Sequence, residues 1–112
     1  MIRSLQDMKS RALLAEDGVV GSVTDLLFDQ QDWILRYLVV DTGEWMGGRK
    51  ILIAPESLKP VQEGADTLAV NLSRDQIQNS PEINTDTAVT YDDEERLRGH
   101  YGWPLYWGGF SP

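Results

Sequence analysis

Trp33-Ile34-Leu35-Arg36-Tyr37-Leu38-Val39-Val40-Asp41 is the stretch on which the fold turns. Its odd and even positions are both largely apolar, and β-branched and aromatic side chains dominate it. A strand with one wet face alternates apolar with polar, whereas a run that is apolar on both faces must be covered on both. The spacing therefore predicts a central strand over 33–41.

Working outward from it, short apolar runs are punctuated at regular intervals by turn residues: Asp17-Gly18, Asp29-Gln30-Gln31-Asp32, Thr42-Gly43, Gly47-Gly48 and Glu63-Gly64-Ala65-Asp66. A strand is predicted over Ala12 to Glu16 and another over Val19 to Asp29. They meet at Asp17-Gly18, a dipeptide suited to the positive φ angles of a type I′ hairpin turn. Arg49 to Ala54 reads as a strand stopped by Pro55, which has no N–H to donate. Thr67 to Leu72 alternates, placing Leu68, Val70 and Leu72 on one face of a half-buried strand. Many short strands separated in this way predict a mostly β domain, a sandwich or a small barrel.

Ser73-Arg74-Asp75-Gln76 matches a capping box, so a short helix is expected from about Arg74 until near Pro81. From Glu82 to Val89 the composition turns to Asn, Thr and Asp, read as a linker. Asp92-Asp93-Glu94-Glu95 followed by Arg96-Leu97-Arg98 puts acids in the first turn of a helix and bases in the last, as its dipole favours. After it, Tyr101, Trp103, Tyr106, Trp107 and Phe110 are interrupted by Gly and Pro, giving an irregular aromatic tail. The organisation expected is one domain over 1–80, with linker, short helix and tail over 81–112.

Composition sets the class. The 112 residues carry 18 acids against 10 bases, a net charge of −8. That field repels a polyphosphate, so direct nucleic-acid binding is not expected. There is no cysteine, hence no disulfide framework and no thiolate nucleophile. No run reaches the roughly 18 apolar residues of a membrane helix, and Met1-Ile2-Arg3-Ser4-Leu5 lacks the order of a secretory signal. A cytoplasmic protein is expected, attached to a membrane at most peripherally through a partner.

One constellation has catalytic potential. Asp41-Thr42-Gly43 follows a hydrophobic strand, as it does in retropepsin-like aspartic proteases, where each copy of a homodimer supplies one carboxylate of a proton-sharing pair. Against this reading, Glu44-Trp45 follows where a small residue would stand, and Asp-Thr-Gly is ordinary turn chemistry. His100 is the only histidine, too little for a zinc site, and reads as a cation at a helix C-terminus. Asp92–Glu95 lacks the alternation and glycine of a calcium loop. Gly47-Gly48-Arg49-Lys50 leads into a strand, not into the helix a phosphate-binding loop opens. No metal and no cofactor are expected.

Asp17-Gly18, Gly21–Asp29, Trp33–Gly43 and Gly48–Ile53, taken in order, resemble the PRC-barrel domain family over roughly residues 2–80. The family takes its name from the cytoplasmic domain of the photosynthetic reaction-centre H subunit, and a related domain forms part of the ribosome-maturation factor RimM. The Arg36–Gly43 run, the following Trp and Gly48-Arg49-Lys50 are more similar to the H-subunit branch. The resemblance implies a small barrel of about six strands that mediates protein–protein contact without catalysis. It also implies a link to photosynthetic electron transport or to a membrane-bound complex. H subunits carry an N-terminal membrane helix, and no such run stands here. The stretch from Arg98 to Trp107 is similar to the segment joining two such barrels in some bacterial proteins. That implies one of two things: a chain cut before a second barrel, or a homodimer in which a second copy supplies the missing surface. Trp45, Met46, Arg49, Trp103, Tyr106 and Trp107 are the expected partner-binding residues, Trp and Tyr being enriched at interface centres. The alternatives are the aspartic protease using Asp41 and a RimM-like factor acting through a ribosomal protein.

Overall fold

The computed structural model describes residues 11–29, 31–60, 66–84 and 89–105. Five strands, β1 (Ala12–Ala15), β2 (Gly18–Phe28), β3 (Leu35–Asp41), β4 (Lys50–Ile53) and β5 (Thr67–Ala69), precede two helices, α1 (Arg74–Gln78) and α2 (Tyr91–Tyr101). The sheet order is β4-β3-β2-β1-β5, with β1 and β5 parallel and the other neighbours antiparallel.

The central-strand expectation holds over Leu35–Asp41. Alternate side chains of a strand point to opposite faces, and here they join two different cores. Leu38 and Val40 of β3, with Ile51 and Ile53 of β4, join Leu13, Val20, Val23, Leu26, Leu68, Val70, Leu72 and Ile77 in the larger cluster. Tyr37 and Val39, with Leu52, meet Ala54, Ile83 and Leu97 of α2 in a smaller one. Burying one such aliphatic side chain contributes about 1.5–3 kcal/mol, so these clusters hold the fold.

A closed barrel of about six strands was expected; among the described residues there are five strands in an open sheet. Pro55 is the reason β4 stops: it opens a single 3₁₀ turn, Pro55–Ser57, and cannot donate to a neighbouring strand. Beyond the turn, Leu58 forms one antiparallel bridge to Val70, supported by Lys59 N–H to Ala69 O at 2.8 Å and Asn71 N–H to Ser57 O at 2.9 Å. Register shifts at Leu13/Leu14 in β1 and at Val23/Asp25 and Leu27/Phe28 in β2 add twist. The sheet therefore curls toward closure without completing it.

Two local expectations need correction. The β1–β2 turn has Glu16 and Asp17 at its centre, and Ala15 pairs with Gly18. Neither central residue has positive φ, so the turn is not type I′. Asp17 is used instead as an acceptor, its Oδ1 taking the Arg74 N–H at 2.8 Å and tying the turn to α1. Trp33 and Ile34 also lie outside β3: Asp29 N–H to Ile34 O, at 2.8 Å, closes a turn that contains Trp33.

The capping box is present. Ser73 Oγ accepts from Gln76 N–H and Gln76 Oε1 accepts from Ser73 N–H. A second one starts α2, between Thr90 and Asp93, and α2 ends at Gly102 in the left-handed conformation, as helix C-termini favour. No helix among the described residues is long and apolar enough to cross a membrane.

Candidate interaction surface

The β3–β4 loop is built by its turn residues. Asp41 Oδ1 accepts from Gly43 N–H at 2.8 Å, and Thr42 ties the two ends of the loop together: its N–H and its hydroxyl both donate to Arg49 O. Gly43, Gly47 and Gly48 all take positive φ, which lets the chain double back over so short a span. The Asp41 carboxylate is thus engaged in an Asx turn, the structural role that Asp-Thr-Gly ordinarily plays.

The folded loop carries Trp45 and Met46 inward. Both are half-buried against the larger core. The Arg74 guanidinium lies 4.2 Å from the centre of the Trp45 ring, a cation–π contact joining the loop to α1. Arg49 reaches the other end of the same helix: Nη2 donates to Ser80 O, and Nη1 to Gln78 O at 3.4 Å. There it satisfies carbonyls a helix C-terminus leaves open.

Trp103 stacks on Tyr101, with ring centres 4.3 Å apart and planes inclined by 20°. Both rings border the two cores. Of the six expected partner-binding residues, Trp45, Met46 and Trp103 therefore pack around the same core with part of each exposed, and Arg49 caps α1. Tyr106 and Trp107 lie outside the described residues.

A buried polar cluster was not foreseen. Glu94 and Arg98 of α2 are 5% and 1% exposed, although Asp92–Glu95 reads in sequence as a solvated helix start. Spaced by four residues, they share a helix face with Leu97, and that face lies on β3. The Tyr37 hydroxyl donates to Glu94 Oε1 at 2.6 Å and accepts from Arg98 Nε at 2.9 Å. Arg98 Nη1 continues to Glu56 Oε2 at 3.1 Å and Pro104 O at 2.8 Å. Burial, reinforced by the Glu94 carboxylate, pushes the Tyr37 hydroxyl far above the ordinary phenol range. Burial opposes the charge on Arg98, but the oxygens of Tyr37 and Glu56 outweigh it and leave its pKa raised. The tyrosine hydroxyl in an apolar run was the one signal that some polar partner must cover β3.

His100 lies in the last turn of α2, as expected, and its Nε2 sits 2.7 Å from Gln76 O, bridging the two helices. Among the described residues no group of three His, Asp or Glu side chains is placed to hold a metal ion.

The most exposed large apolar side chain described is one the sequence reading placed in a strand. Trp33 is 74% exposed and its neighbour Ile34 46%. Trp33 is also the only non-glycine residue with positive φ among those described, at +56°. For an L-residue with a bulky side chain this region costs about 1–2 kcal/mol.

The chain matches the family described as PRC-barrel domain over residues 3–77. Among curated proteins nothing matches.

Proposed function

Since the chain belongs to the PRC-barrel domain family, we propose that it is a non-catalytic interaction module, an adaptor that docks on a partner protein. The observation that carries this reading is how its buried charges are used. Glu94 and Arg98 are bound to Tyr37, Glu56 and Pro104 and fasten α2 over the second face of the sheet. They are structural groups, and the Asp41 carboxylate is likewise tied into its own turn. Chemistry of this kind leaves the surface as the working part. The half-exposed aromatics of the β3–β4 loop and of the segment after α2 supply contact area of the type that anchors interfaces.

The resemblance of Arg36–Gly43 to the H-subunit branch supports a larger complex as the partner, one attached to a membrane and engaged in photosynthetic electron transport. Self-association through a second copy is the homodimeric form of the same reading.

The test is affinity isolation of the tagged full chain from its native host after mild crosslinking, beside Trp45→Ala. A protein complex recovered in fixed stoichiometry with the native chain and depleted in the variant supports the adaptor. Co-sedimentation with ribosomal subunits would transfer the function to ribosome maturation. Hydrolysis of a peptide library between pH 4 and 6, lost in Asp41→Asn, would replace the adaptor with an aspartic protease (about the range in which paired carboxylates share a proton).

A further inference from the structure

The β2–β3 turn presents an exposed aromatic in a backbone conformation that L-residues rarely adopt. Its backbone is fixed on both sides of Trp33: Trp33 N–H donates to Asp29 O at 2.7 Å, and Asp29 N–H to Ile34 O at 2.8 Å. Asp29 Oδ1 accepts from Gln31 N–H at 2.9 Å, and its Oδ2 pairs with Arg36 Nη2 at 3.4 Å. The Gln31 N–H is the main reason the Asp29 carboxyl stays below its usual range, so this tie persists over the pH range in which proteins work. Asp29 thus anchors the described residues around Trp33, and the residue held at φ +56° is a tryptophan where glycine or asparagine would sit without strain.

That tryptophan contributes to neither core. It belongs to neither cluster nor to the residues packed against them, and it stands with Ile34 in solvent. Strained backbone conformations survive where the surroundings over-determine them, and they concentrate at functional positions. Tryptophan, rigid and large, is the residue most enriched where binding energy is concentrated.

We propose that Trp33 and Ile34 form a docking knob that inserts into an apolar socket on a basic protein surface, a proposal that rests on the interaction-module reading and names its contact point. Charge selects the occupant. Asp32 is exposed beside the knob, no lysine lies in the turn, and the chain as a whole carries −8. A socket rimmed with Lys or Arg is attracted to such a tip. An anionic lipid surface, a nucleic acid and the same acidic tip of a second copy are all repelled at this knob, which leaves self-association to other surfaces.

The experiment uses Trp33→Gly in the full chain. Glycine adopts this φ freely, so the melting temperature is expected to be unchanged or raised, which separates recognition from folding. The binding probe is an array of synthetic peptides with a central Leu, Met or Phe flanked by Lys and Arg, read by fluorescence anisotropy at low and high salt. The expected result is salt-sensitive binding, a blue shift of tryptophan emission, and affinity at least tenfold weaker for Trp33→Gly. A lowered melting temperature, equal binding by the variant, or no binding of any basic peptide overturns the proposal. So does preferential capture by anionic vesicles, or concentration-dependent dimerisation that Trp33→Gly abolishes. If the natural partner complex is recovered equally with Trp33→Gly, the knob fails while the adaptor stands; if neither form recovers a complex, the adaptor itself fails.

Discussion

Tyr37 on β3 and Glu94 on α2, separated by 57 positions in the chain, share a hydrogen bond of 2.6 Å in the protein interior. The same hydroxyl accepts from Arg98, so one phenolic oxygen mediates between a carboxylate and a guanidinium that helix geometry places on one face. Together with Leu97 and Ile83 this cluster makes the second face of the sheet an interior.

Tyr37→Phe should therefore be much more disruptive than the loss of one oxygen suggests. It removes a donor from a buried carboxylate and an acceptor from a buried guanidinium, which costs about 1–3 kcal/mol. Glu94→Gln retains an acceptor for the hydroxyl and should cost less. Urea unfolding of the two variants, with the order of their midpoints, is the check.

Alkaline pH should destabilise the chain from about pH 10 upward. Burial raises the hydroxyls of Tyr37 and Tyr101 above their ordinary value, which is about 10 in an unfolded chain. Above that pH the unfolded state loses protons that the folded state keeps, so stability present below it declines as pH rises. On the acid side the sign reverses. The Thr90 and Gln31 N–H groups hold Asp93 and Asp29 below the usual carboxylate range, and what they contribute is lost as pH falls below about 4. Denaturation midpoints between pH 3 and 11 should show both limbs, with a shallower alkaline limb in Tyr37→Phe.

Gly21→Ala should prevent normal folding. A Cβ at that position would stand 2.0 Å from Asp41 O and 2.9 Å from the Thr42 Cα. Both are backbone atoms of the neighbouring strand and its corner, so β2 and β3 would have to separate. The cost should reach about 3 kcal/mol or more, the upper end of overpacking, seen as insoluble expression or a sharply lowered melting temperature.

Thr90→Ala and Ser73→Ala each remove the hydroxyl of a capping box and should cost about 0.5–2 kcal/mol. Their effects should differ in reach. Thr90 starts the helix that holds Glu94 and Arg98 against Tyr37, so its loss should expose the second core to dye binding before global unfolding. Ser73→Ala should lower stability without that early signal.

Strands and caps were legible in the sequence because their signals are local. Leu68, Val70 and Leu72 alternate and are buried together; Ser73 and Gln76 are three apart and cap each other. The loop glycines were legible for the same reason. The Tyr37–Glu94–Arg98 cluster was not, since nothing within a few residues of Glu94 says that its face meets a strand 57 positions away. Trp33 was misread because its β-propensity extends an apolar run, whereas the decisive fact is a backbone bond from Asp29 to Ile34. Among the described residues the sheet stays open at Pro55, where a single 3₁₀ turn interrupts β4 and only the Leu58–Val70 bridge continues the pairing that the family resemblance implied.

The parallel pairing of Ala12 with Thr67 and Leu13 with Leu68 has a kinetic meaning. It closes a loop of about fifty residues, while β2, β3 and β4 meet across short connections and lose far less chain entropy on meeting. The meander should form in the rate-limiting step and β5 should arrive after it, so Leu68→Ala should accelerate unfolding while leaving the refolding rate nearly unchanged in stopped-flow measurements. An equal slowing of refolding would mean that the ends of the sheet come together early.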